Sequence, residues 1–199
     1  MDRLVKCLRY EVRLEEALGV IQHAVILRRE LAKDRPVVFN QGLAWSLHAF
    51  SNISSELGRP EEALSTIKEA LLLHRELAKD QPGVFLPALA SSLNNVALRL
   101  SGVGQREEAL SAIKEAVKIR RELAKDRPAT FNPSLARSLN ILSLQLSDVG
   151  QQEDALTIIN EAIIIRRGLA QMHPAVYHTD LAQSLRGQSS ILSKLNRPV

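Results

Sequence analysis

Residues 61–106 read EEALSTIKEALLLHRELAKDQPGVFLPALASSLNNVALRLSGVGQR, and residues 107–152 read EEALSAIKEAVKIRRELAKDRPATFNPSLARSLNILSLQLSDVGQQ. Aligned without a gap the two blocks share 29 of 46 residues, so the chain repeats with a period of 46. The same markers extend the period in both directions. LAKDRP at Leu31 to Pro36 returns from Leu77, from Leu123 and, as LAQMHP, from Leu169; EEAL at Glu15 returns at Glu61, at Glu107 and, as EDAL, at Glu153. Ser46, Ser92, Ser138 and Ser184 each precede a leucine at the same step. Four copies therefore occupy 15–60, 61–106, 107–152 and 153–198, with 1–14 standing in for a partial N-terminal helix. A single array over 1–199, with no linker, is expected.

Each copy holds two helical patterns. In EEALSTIKEALLLHRELAKD the residues Ala63, Ile67, Ala70 and Leu77 recur at steps of three and four, as one amphipathic helix requires. Its ends suit the helix dipole: Glu61 and Glu62 fall in the first turn, Arg75 and Lys79 near the last, Pro60 at a first helical position and Pro82 just past the end. A second, shorter helix is expected over ALASSLNNVALRLSGVG, with Leu89, Leu93, Val96 and Leu100 on one stripe. Pro87, or Pro133 in the next copy, would open it after a longer connection such as RPATFNP. Gly58, Gly104 and Gly150 recur where a left-handed residue must end one helix before the next begins.

Composition narrows the function classes. Nine Gly and eight Pro among 199 residues are too few for a low-complexity chain, and the Leu- and Ala-rich pattern argues against an all-β fold. Cys7 stands alone, so neither an internal disulfide nor a thiolate metal site can form, and a cytoplasmic address is the default. No apolar run approaches the roughly 20 residues that a membrane span needs. The net charge of +4 and pI near 9.5 arise from dispersed charges. Any nucleic-acid binding should then be weak and salt-sensitive. His23, His48, His74, His173 and His178 show no metal-ligand spacing, and neither a nucleophile elbow nor a phosphate-binding glycine loop is present. No catalytic residue, metal or cofactor is expected.

The stretch LNNVALRLSGVGQREEALSAIKEAVKI resembles a tetratricopeptide repeat: Leu93, Val96, Ala97 and Leu100, then Gly104, Ala109, Ile113 and Ala116 fall at that motif's spacings. The resemblance covers the units beginning near Leu43, Leu89 and Leu135 and is partial at both ends. Each unit is 12 residues longer than the usual 34. Such extended units are similar to tetratricopeptide arrays of fungal and bacterial multidomain proteins and, more distantly, to kinesin light chains. The resemblance implies an all-α, right-handed α-solenoid of stacked helix-turn-helix copies, serving as a non-enzymatic scaffold that takes a peptide or partner domain in its concave groove. A self-association or architectural module of a larger protein, and a helical-repeat RNA binder, are the alternatives.

By that resemblance the groove presents Trp45, His48 and Asn52 from the first copy, Ser91, Asn94 and Leu98 from the second, Arg137, Asn140 and Leu144 from the third, and Gln183 and Arg186 from the fourth. Trp45 is the most informative of these. Its repeat equivalents are Ser91, Arg137 and Gln183, a set no core position would hold, so Trp45 should be at least partly exposed. Some tetratricopeptide domains grip a terminal carboxylate; the matching positions are His48, Asn52, Asn95, Arg137 and Ile141. The last departs from that pattern by removing a cation. Asn94 and Asn140 also recur in the SLN motif, which fits a bridge between neighbouring backbones. Arg29, Arg75, Arg121 and Arg167, with Glu30, Glu76 and Glu122, read as a ladder of ion pairs between neighbouring helices.

The ends carry separate expectations. Arg186, Gly187, Gln188 and Ser190 exchange apolar for polar residues in a final helix expected over Leu181 to Leu195. Near the N-terminus Val12 replaces the turn glycine, so continuous helix is expected there. Leu4 and Leu8 would then be poorly covered and would mediate a homodimer.

Overall fold

The computed structural model describes residues 2–195, with side chains from Val12 onward. Eight helices follow one another: α1 (Asp2–Asp34), α2 (Pro36–Glu56), α3 (Pro60–Asp80), α4 (Pro82–Gly102), α5 (Arg106–Asp126), α6 (Pro128–Asp148), α7 (Gln152–Met172) and α8 (Pro174–Leu195). No strand occurs among the described residues, and the fold is all-α.

Proline placement corrects the expected helix lengths. α4 and α6 open at Pro82 and Pro128, leaving only Gln81 and Arg127 as connectors, and Pro87 and Pro133 lie inside them. The second helix of each copy is therefore not shorter: α3 and α4 both have 21 residues. A first-position proline gives up an N–H that has no intrahelical partner in any case. Likewise α8 begins at Pro174 rather than at Leu181. The glycine turns follow the sequence reading: Gly58, Gly104 and Gly150 take φ of 71°, 81° and 83°, and no other described residue has positive φ. α1 runs unbroken through Val12. Leu4 and Leu8, assigned to self-association, have side chains outside the described residues.

The chain forms two compact units, Met1–Val103 and Gly104–Val199. In the first, α2 packs on α1 and α3, and α3 on α4. Ala44, Ala63, Ala70, Ala90 and Ala97 are fully buried and let these helices approach closely, while Leu47, Ile67 and Leu93 fill the space between them. Full burial of each larger side chain stabilises the unit by about 1.5–3 kcal/mol. In the second, α6 packs on α5 and α7, and α7 on α8, around Ile113, Leu139, Ile159 and Ile191.

An internal arginine locks the joint in three of the copies. Arg28 Nη1 donates to the Gly42 carbonyl at 2.9 Å and to Ser46 Oγ; Arg120 Nη1 donates to the Ser134 carbonyl at 2.8 Å and to Ser138 Oγ. Arg166 Nη1 repeats the pattern with the Asp180 carbonyl and Ser184 Oγ, the latter at 2.6 Å. Desolvation lowers the Arg120 pKa to about 10, with Arg137 adding to the effect, yet the guanidinium stays charged at neutral pH.

The exposed ion pairs differ in partner from the sequence expectation. Arg29 Nε donates to Glu69 Oε1 at 3.0 Å, and Arg121 pairs with Glu161 in the same manner. Glu30, Glu76 and Glu122 instead hold Lys33, Lys79 and Lys125 one turn away on their own helices. A three-residue spacing on one helix brings these short-range partners together before any neighbouring helix can compete.

Candidate partner-binding site

In the first unit, α2 and α4 carry Trp45, His48 and Asn52, and Ser91, Asn95 and Leu98. Trp45 is 67% exposed, and Leu98 is also exposed. The polar members are drawn into contacts with one another. Asn95 Nδ2 donates to His48 Nε2 at 2.6 Å, and Arg99 Nη2 donates to Asn52 Oδ1 at 3.0 Å. Burial, with Arg99 adding its charge, lowers the His48 pKa; an imidazole accepting through Nε2 suits the neutral form. Trp45, His48, His74, Ala88 and Ser91 line a pocket of about 220 Å³. Ser91 Oγ donates back to the Pro87 carbonyl at 3.0 Å, a bond available four residues apart on a helix.

Two of the predicted groove residues face inward. Asn94 and Asn140 are buried, at 4% and 5% exposure, and are removed from the groove set. Asn140 Oδ1 accepts from Ser184 Oγ at 3.0 Å, so this amide ties α6 to α8. The SLN motif at 138–140 is the sequence signal of that structural task. In the second unit Arg137, Leu144, Gln183 and Arg186 are exposed on α6 and α8. Gln188 Nε2 donates to Asn160 Oδ1 at 2.7 Å, joining α8 to α7.

Sequence reading missed Arg99 and His74. Arg99 is a cation at the position that holds Ile53, Gln145 and Ile191 in the other copies. His74 interrupts the arginine series of Arg28, Arg120 and Arg166. It is buried at 4% exposure, its Nδ1 lies 2.7 Å from Ser92 Oγ, and its Nε2 has no partner. Burial, with a smaller contribution from His48, lowers its pKa to about 4. Both departures are visible once the copies are aligned by period.

Ser92 and His74 have the elements of a nucleophile and base, but Ser92 is fully buried, so no substrate reaches its hydroxyl. Among the described residues no three His, Cys, Asp or Glu side chains are grouped to hold a metal. No helix described is long and apolar enough to cross a membrane.

Residues 89–128 match a family model described as tetratricopeptide repeat, and residues 40–91 and 134–173 match that of anaphase-promoting complex subunit 5. No curated protein matches the sequence. Among solved structures, the fold is similar to nearly identical TPR-like repeats assigned to kinesin light chain from Podosopora anserina. The TM-score is 0.62, with 16% identity over 96% of this chain and 93% of that one. A single-residue variant of the same repeats gives 0.67, with 18% identity over 94% and 87%. BtubC (BKLC) from P. vanneervenii gives 0.50, with 20% identity over 90% and 83%.

Proposed function

We propose that the chain, whose fold is that of tetratricopeptide-like repeats, is a non-enzymatic scaffold whose helix faces bind a peptide or a partner domain. Repeat arrays of this kind generally mediate protein–protein interaction through surfaces that vary over a constant core. One observation carries the reading. Trp45 and Leu98 are exposed on α2 and α4, while the residues packed between these helices and α3 keep the period closely. Aromatic and apolar side chains held on rigid helices lose little entropy on binding, which favours them as interaction anchors. The lone cysteine is in keeping with a reducing, cytoplasmic setting for such a scaffold.

Affinity capture from the native host, run in parallel with a Trp45→Ala, Leu98→Glu variant, tests the proposal. A partner retained by the parent chain and lost by the folded variant is expected. Equal retention by both would place the interaction surface elsewhere.

A second reading, self-association, is supported by α1, where Val20, Leu27 and Leu31 are exposed along one face. Their counterparts Thr66, Leu73 and Leu77 on α3 are buried or half-buried. The α1 face is therefore an apolar surface suited to a second copy of the chain.

A further inference from the structure

We propose that the joint closed by an internal arginine in three copies is, in the second copy, a socket for an arginine side chain supplied by a partner peptide. The inference rests on reading the α2 and α4 face as the partner surface and names the group it would take.

The sister joints define what the socket can hold. In each of them one guanidinium nitrogen donates both to a serine hydroxyl and to the helix carbonyl four residues before that serine. The second copy keeps both acceptors, as Ser92 and Ala88, but brings only an imidazole. His74 reaches Ser92 Oγ and no further, and does not bond the Ala88 carbonyl. The shorter side chain leaves the pocket of about 220 Å³ lined by Trp45, His48, His74, Ala88 and Ser91.

The roles of the atoms follow from the other copies. There the serine oxygen accepts from the first helix of the copy; in the tautomer that matches this, His74 Nδ1–H donates to Ser92 Oγ and the Nε2 lone pair is left over. That atom is buried without a partner, and an orphaned acceptor carries a desolvation cost that an incoming donor would recover. Burial keeps the imidazole neutral. Trp45 supplies an exposed indole beside the opening, on which a planar cation can stack. The neighbouring cation, Arg99, is bonded to Asn52 and attracted by Glu56. An arginine suits what the pocket presents: a planar multi-donor head for His74 Nε2, a face for Trp45 and an aliphatic stem for the Ala88 wall.

The test uses the full chain and acetylated, amidated Gly-Arg-Gly, with the citrulline and lysine peptides as controls. Trp45 is the single tryptophan, so its fluorescence reports on the socket. Saturable binding of the arginine peptide is expected, at least tenfold tighter than either control. His74→Arg fills the socket with its own guanidinium, as in the sister copies, and should abolish the response while raising the unfolding midpoint. Ala88→Leu blocks the same pocket from α4 and serves if the first variant does not fold. Absence of a saturable response, equal binding of citrulline, or unchanged binding in a folded blocking variant would overturn the socket. The broader reading fails separately, when a captured partner ignores substitution of Trp45 and Leu98.

Discussion

Arg29 and Glu69 form a two-point ion pair that joins the first helices of adjacent copies, α1 and α3, across the exposed face of the first unit. The bond to Glu69 raises the Arg29 pKa, against a smaller opposing effect of burial. Both side chains remain well exposed, so water and salt screen the attraction, and such pairs contribute about 0–1 kcal/mol. Arg29→Ala should therefore lower stability by no more than about 1 kcal/mol, with the loss shrinking as salt rises. Urea titrations of both proteins at low and high ionic strength check this.

The internal arginines should behave differently. Arg120→Leu removes the donor to the Ser134 carbonyl and Ser138 hydroxyl inside a joint where the guanidinium is almost wholly buried, so two buried charge-assisted hydrogen bonds are lost. A loss of about 1–3 kcal/mol is expected, insensitive to salt. Comparing its denaturation midpoint with that of Arg29→Ala separates a structural guanidinium from a surface one.

These residues also show what is legible in the sequence. The period of 46 and the positive-φ glycines at 58, 104 and 150 are readable because they depend on local chemistry repeated along the chain. Helix starts are harder, since Pro82 and Pro87 both look like openings and only the one-residue connector at Gln81 decides between them. Asn94 turns inward although spacing places it on the surface, because spacing fixes a helix face only to within one residue step. His74 is unremarkable in isolation. Its meaning lies in the arginines it replaces, and in a pocket that no single-copy reading contains.

His74 gives the protein a pH dependence of definite sign. Its pKa falls from an ordinary 6.5 to about 4 on folding, so above pH 6.5 the ring is neutral in both states and this group takes nothing from stability. As pH drops from 6.5 toward 4 the unfolded chain takes up the proton first, and stability declines by at most about 1.4 kcal/mol per pH unit for this group. His48, lowered in the same direction, adds to the decline. Denaturation midpoints from pH 7 to pH 4 should fall less steeply in His74→Gln than in the parent.

Two glycines of the second unit should respond oppositely to alanine. Gly150 holds φ at 83°, where a Cβ is strained whatever space surrounds it, so Gly150→Ala should cost about 1–2 kcal/mol. Gly168 lies inside α7 with nothing near its missing side chain, and Gly168→Ala should stabilise by about 0.5–1 kcal/mol. Thermal melts of the two single variants give the sign directly.

Self-association is the last expectation, and the exposed face of α1 is the surface proposed for it. Val20, Leu27 and Leu31 share one helix face, since steps of seven and four residues return to nearly the same angle. On α3 the counterpart positions are covered or half-covered by packing, whereas on α1 the same pattern is left to solvent, with Val20 the most open of the three. Removing apolar surface from water stabilises an interface by about 25 cal/mol per Å², so pairing two such faces favours association as concentration rises. Sedimentation equilibrium across a wide concentration range should show a monomer–dimer transition. Val20→Lys with Leu27→Lys should abolish it without changing the unfolding midpoint of the monomer. A parent chain that stays monomeric throughout, or a dimer unaffected by the double substitution, would remove α1 as the surface.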